Sequence, residues 1–336
     1  LKETIMRTKL KSVLAGALLA GSSLAVSSGI VQADEKLKVV ASFSILGDFV
    51  QRVGGDRVEV TTIVGPDGDA HVYEPKPDDA KAMAAAKIVF VNGLTFEGWL
   101  DRLVESSGYK GPLIKATEGI EPDKMEEGHH HDHAEGEKKE EHDHAEGEKK
   151  DGHDHGHAHG EFDPHAWQSA ANAQIYVKNI AEALCVVEKS DCDTFKANAE
   201  AYAKELSTLD SEIKAAVGKV PESRRTVITS HDAFGYFSHE YGVTFLAPEG
   251  VSTETEASAQ DVAKLIDQIR EDKASALFVE NVSDPRLIEQ ISRETGLKIG
   301  GALYSDALSG RDGPAATYVD MMRHNTKLLT EAMAGS

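Results

Sequence analysis

Apolar and polar positions along this chain first alternate, then recur every three to four residues, and the exchange repeats. "KLKVVASFSILGDFVQRVGGD" (36–56) reads as a strand followed by a helix that stops at Gly54 and Gly55. "RVEVTTIVG" (57–65) alternates as a strand does and ends at Pro66. Helical spacing returns over 76–87, a short wholly apolar strand follows over 88–93, and a further helix is expected over 94–108. After residue 166 the pattern is helical over 167–188 and again over 193–220. The second of these runs for about seven turns and lies mid-chain, as a rigid strut between two lobes would. Strands over 225–230, 243–248, 276–281 and 298–303 then alternate with helices over 258–273, 284–296 and 315–333. Such alternation predicts βα units around mostly parallel sheets. The expected fold class is therefore α/β, with two similar lobes, each a mostly parallel sheet flanked by helices, joined by a long rigid helix. Their expected boundaries are 34–190, a linking segment at 191–220, and 221–336.

The first residues do not belong to that pattern. "MRTKLK" (6–11) is basic, 12–31 is apolar and small, and "VQA" (31–33) puts small side chains where a signal peptidase reads. Residues 1–33 are thus expected to be a signal peptide cut after Ala33, which places the mature chain in the periplasm. The rival reading, a membrane anchor, is disfavoured by the small polar residues that dilute the run. No Cys lies near the cut to carry a lipid. The whole chain has a formal charge of −21, and loss of the leader's four bases and one acid takes it to −24. That balance argues against nucleic acid and anionic membranes as partners and suits a small cation. The two cysteines, Cys185 and Cys192, flank a turn, and export favours a disulfide between them over two free thiols.

Composition shifts again at 123–161, which holds fourteen acids, five lysines and ten of the fifteen histidines. "HDHAEGEKK" occurs twice, at 131–139 and 142–150, before "HDHGHAH". With almost nothing apolar to bury, this stretch is expected to be a disordered loop within the first lobe. Its imidazoles, His129, His130, His131, His133, His142, His144, His153, His155, His157 and His159, are expected to hold metal weakly and in several arrangements. Capture of metal and its passage inward is the role expected of them; a passive buffer and an inconsequential insertion are the alternatives.

Five histidines lie elsewhere. His239 and His324 sit within helical stretches and read as surface or helix-end residues. The other three differ. His71 follows the strand 57–65, His165 opens a helix behind Asp-Pro, and His231 directly follows the strand 225–230. Asp306 likewise lies past a late strand. Ligands of open α/β sheets bind where loops at the carboxyl ends of strands converge. Three imidazoles and a carboxylate form a donor set suited to tetrahedral Zn(II). Glu280, near another strand end, is assigned to supporting the site or the fold, although Asp306, water and Glu280 all remain open as the group completing the shell.

"GDAHVYEPKPDD" resembles the first ligand loop of the metal-specific periplasmic binding proteins of ABC importers. "DPHAW", "SHDAFGYF" and "YSDALS" are similar to that family's three later ligand stations, in the same order, and the likeness extends through "NAEAYAKELSTLD" in the central helix. The resemblance implies one metal held between two lobes and delivered to a membrane ABC permease, by a chain that is a monomer and performs no catalysis. Manganese-binding members tend to carry a carboxylate at the third station, where this chain has His231. Softer nitrogen there favours Zn(II), and a His-rich insertion is a mark of the ZnuA-type zinc binders. A zinc metallochaperone is a possible further partner. The alternatives are a Mn(II) or other divalent-metal binder of the same family, and a zinc store or adhesin. A zinc hydrolase finds no support, since neither HExxH, a nucleophile elbow nor a phosphate loop is present.

Overall fold

The computed structural model describes residues 36–124 and 162–335. Two four-stranded parallel sheets carry the chain. The first is built from β1 (Leu37–Phe43), β2 (Val58–Val64), β3 (Ile88–Val91) and β4 (Leu113–Lys115), in the order β2-β1-β3-β4. The second uses β5 (Thr226–Ile228), β6 (Thr244–Leu246), β7 (Leu277–Glu280) and β8 (Ile299–Leu303), in the matching order β6-β5-β7-β8. In each sheet the first strand is flanked by the next two. That arrangement creates a switch point, with a crevice at the carboxyl ends of the strands. The inner strands β1 and β3 are nearly continuous apolar runs because helices cover both faces.

Helices α1 (Ser44–Gly54), α2 (Pro77–Ala85) and α3 (Leu100–Ser107) serve the first sheet. Helices α6 (Gly235–Tyr241), α7 (Ala259–Asp272), α8 (Arg286–Thr295) and α9 (Tyr318–Ala334) serve the second. Between them run α4 (Ala170–Val187) and the linking helix α5 (Cys192–Val217). The α1–β2 corner is tight: a Cβ on Gly54 would come within 2.3 Å of a Val58 methyl. Gly55 then takes φ +56, which a side chain would strain.

The linking helix is more than a bare strut. Phe195, Ala199, Tyr202, Leu206, Leu209, Ile213 and Val217 form one buried stripe at three- and four-residue steps. They join a single apolar core that extends from Val39 in β1 to Met333 in α9. The described residues, 36–124 and 162–335, accordingly fall within one compact unit. A smaller core, with Ile228, Ile266 and Ile291, fills the far side of the second sheet. At the α4–α5 turn Cys185 and Cys192 are bonded as a disulfide.

Two local expectations change. The helix expected from residue 94 begins only at Leu100, because Leu94 and Thr95 adopt positive φ (52° and 64°). The buried carboxylate of Glu97 explains this: it accepts the N–H groups of Asn92 and Gly93 and the Ser42 hydroxyl, holding 92–97 as a turn. The helix expected over 167–188 is split into a single 3₁₀ turn at Ala166–Gln168 and then α4, whose N-cap Ser169 accepts from the Asn172 N–H. The short strand β4 has too few residues to show a period. The segment 1–33 and all ten histidines of the insertion lie outside the described residues.

Candidate metal centre

Each of the four expected ligands is delivered by a loop that fixes it before any metal arrives. Past β2, Asp69 turns back so that its Oδ1 accepts the His71 N–H at 2.9 Å. Its other oxygen takes the Thr253 hydroxyl at 2.6 Å, and the Trp99 indole donates to the Ala70 carbonyl at 2.8 Å. The same device recurs at Asp163-Pro164-His165. Asp163 Oδ1 accepts the His165 N–H at 2.9 Å and lies 2.7 Å from Nδ1 of the ring. Asn92, at the end of β3, donates to the Pro164 carbonyl and accepts from Tyr176.

In the second sheet, Glu280 ends β7 with its carboxylate turned towards the loop after β5. Its Oε1 accepts the N–H groups of Ser230 and His231, and its Oε2 lies 2.7 Å from His231 Nδ1. Glu280 is therefore an orienting group on the far side of the ring from the ligand nitrogen. Asp306 follows β8, and the adjoining Ser305 carbonyl accepts both Trp167 Nε1 and Gln168 Nε2.

These loops bring His71, His165, His231 and Asp306 together, all four buried, with one ligand atom from each lying within 4.8 Å of the others. The Nε2 atoms of His71 and His165 are 3.3 Å apart. Asp306 Oδ2 is 3.2 Å from His71 Nε2 and 3.1 Å from His231 Nε2, and Oδ1 is 3.5 Å from His165 Nε2. Ligands about 2.0–2.1 Å from a tetrahedral zinc stand roughly 3.3–3.4 Å apart, so these four separations, which involve both Asp306 oxygens, are of the size that ligands around one metal require. Asp306 Oδ1, fully buried, takes no hydrogen bond. A cation at the centre would satisfy it.

Electrostatics point the same way. Burial pulls the His231 ring down, but Glu280 and Asp306 outweigh it and raise its pKa well above the usual imidazole value. His165 is likewise raised: burial lowers it, and Asp306 and Asp163 more than compensate. Burial pushes Asp306 up, yet His231 and His165 hold it well below the ordinary carboxylate range. Each of these two rings thus lies between carboxylates, Asp306 on the cavity side and Glu280 or Asp163 on the other. Phe96 and Trp167 stand edge-on to the histidine rings and form an apolar wall.

A family model described as "Zinc-uptake complex component A periplasmic" (ZnuA) matches residues 39–332. The chain belongs to the ZnuA family. Among its relatives, the iron-binding protein YfeA of Yersinia pestis is 32% identical over 86% of this chain and 83% of its own length. The manganese ABC transporter substrate-binding lipoprotein PsaA of Streptococcus pneumoniae is 31% identical over 97% and 99%. The solved structure of the periplasmic zinc-binding protein TroA from Treponema pallidum superposes with a TM-score of 0.76 at 27% identity, over 89% of this chain and 99% of that one. This ZnuA-family chain is an extracytoplasmic divalent-metal-binding component of an ABC transporter, not an enzyme, and its site comprises three histidines and an aspartate.

His239 and His324 stand apart from the cluster. His239 Nδ1 lies 2.8 Å from Asp123 Oδ2, and His324 Nε2 lies 3.1 Å from the Ala302 carbonyl. Asp163 and Asn92 received no role from the sequence. A signal for Asp163 was present, since Asp-x-His occurs at both 69–71 and 163–165. The support from Asn92 is a contact across 72 residues and leaves no local trace.

Proposed function

We propose that this chain is a periplasmic Zn(II)-binding protein that captures zinc between two lobes and delivers it to an ABC permease for import. The observation that carries the reading is nitrogen at the third position. His231 gives the cavity three imidazoles and a single carboxylate, a set that favours Zn(II) over harder Mn(II). Capture is a ligand exchange without covalent chemistry. Zinc displaces the protons from His165 and His231, whose far nitrogens remain held by Asp163 and Glu280. With both lobes sharing one core along α5, hinge motion is small, and the permease must distort the ligand loops to obtain release.

The mature chain begins after residue 33 and works as a monomer, with lobes at 34–190 and 221–336 joined through 191–220. The His-rich insertion 123–161 collects zinc ahead of the buried site, and a zinc metallochaperone is a further source. The test is the metal content of the native protein together with zinc uptake by cells lacking the gene. One zinc per chain and impaired growth under zinc limitation are expected. Manganese or iron as the native occupant, or zinc uptake unchanged by the deletion, would overturn the reading.

A further inference from the structure

We propose that Gly235 and Tyr236, neighbours at the start of α6, are positioning residues for the ligand His165. They belong to the half of the chain that carries His231 and Asp306, whereas His165 precedes α4 and the linking helix. The inference rests on the metal site described above and extends it to a second layer of control.

His165 depends on Asp163, which holds both its backbone N–H and its Nδ1. Asp163 is itself gripped from α6. The buried Tyr236 hydroxyl donates to the Asp163 carbonyl at 3.1 Å and accepts the Asp123 N–H, also at 3.1 Å. Asp123 and Asp163 are tied to each other through the Asp163 N–H and the Asp123 carbonyl at 2.9 Å, next to a bridge between Lys124 and Phe162. One phenol therefore fastens both roots of the insertion and the turn that presents His165. One helical turn further along, the His239 ring meets the Asp123 carboxylate.

Gly235 controls the other side of Asp163. A Cβ at this position would stand 2.5 Å from Asp163 Oδ2, closer than any real contact allows. The absent side chain is what admits the carboxylate that orients the imidazole. Both residues act on the metal through Asp163, and neither offers it a ligand. The arrangement couples the geometry of His165 to the opposite half of the molecule. It also ties Asp123 and Asp163, at the two ends of the insertion, to the turn that presents His165.

The experiment uses residues 34–336 with the single variants Tyr236→Phe, Gly235→Ala and His231→Ala, titrated with Co(II) against a chelator. Visible absorption of the bound Co(II) and the urea midpoint of the metal-free chain are recorded alongside. Tyr236→Phe keeps the buried ring and removes only the hydroxyl, so the fold is preserved. Loss of a group supporting a metal-bound histidine costs about 10–100-fold in affinity; for residues one step further out, we expect roughly three- to tenfold weaker Co(II) binding. Altered ligand-field bands should accompany it in both positioning variants. Purely structural residues would lower the urea midpoint and leave the bands and the affinity at parental values, and that result overturns the proposal. Retention of tight Co(II) by His231→Ala would instead overturn the site itself, and the proposal with it.

Discussion

His231 and His165 each present one ring nitrogen to the cavity and the other to a carboxylate, Glu280 or Asp163. This arrangement raises the proton affinity of both rings in the metal-free chain. Metal and proton therefore compete over a pH range that begins above the free imidazole value of about 6.5. The direction follows from the shifts: protons become harder to displace as pH falls, while Asp306, held low, stays ionised and adds no slope. Apparent Zn(II) affinity, measured by chelator competition from pH 8 to pH 5.5, should fall by at least tenfold per pH unit in the acidic half. A flat profile would show that the two rings are not ligands.

At the scale of elements, α1, α5 and α9 meet around Asp48. Its carboxylate accepts the Tyr318 N–H at 3.0 Å and the more distant Tyr202 hydroxyl, and burial raises its pKa to about 6. A folded-state value above the unfolded one of 3.8 means that the native chain binds this proton more tightly. Its stabilising contribution is present below about pH 4 and lost as pH rises to about 6. Asp48→Asn retains an acceptor for Tyr318 without the half-buried charge. Because this side chain is only part-buried, the variant should gain ~1 kcal/mol at pH 7. Urea unfolding at pH 7 and at pH 4 measures this, and the advantage should vanish at the lower pH.

Most elements were legible from their period, including the βα alternation and the seven-turn α5, because long amphipathic stripes outweigh local detail. The exception at 94–99 follows from Glu97, whose demand for backbone donors overrides an apparent helical spacing. The four ligands were legible for a different reason: each sits in a loop past a strand or at a helix start, next to a recognisable motif. Asn92, Gly235 and Tyr236 were not, because their contacts with the His165 turn cross the chain.

For the whole molecule, two sheets of matching order are fused through one core, and the metal cavity is closed by residues from both. The loop after β2 also reaches across, with the Asp67 N–H donating to the Leu308 carbonyl and Asn281 donating to the Asp67 carboxylate. The ligands are therefore fixed by the folded body, whereas the insertion is rooted outside the cavity at Asp123 and Asp163. Tight binding should survive removal of the tract. The most direct measurement is a chelator-competition titration, with Zn(II) and with Mn(II), of a mature chain lacking residues 125–161. One tight Zn(II) equivalent, poorly matched by Mn(II) and lost in His231→Ala, is the predicted result. Loss of tight binding together with the tract would place the true site among the insertion's histidines and contradict the account.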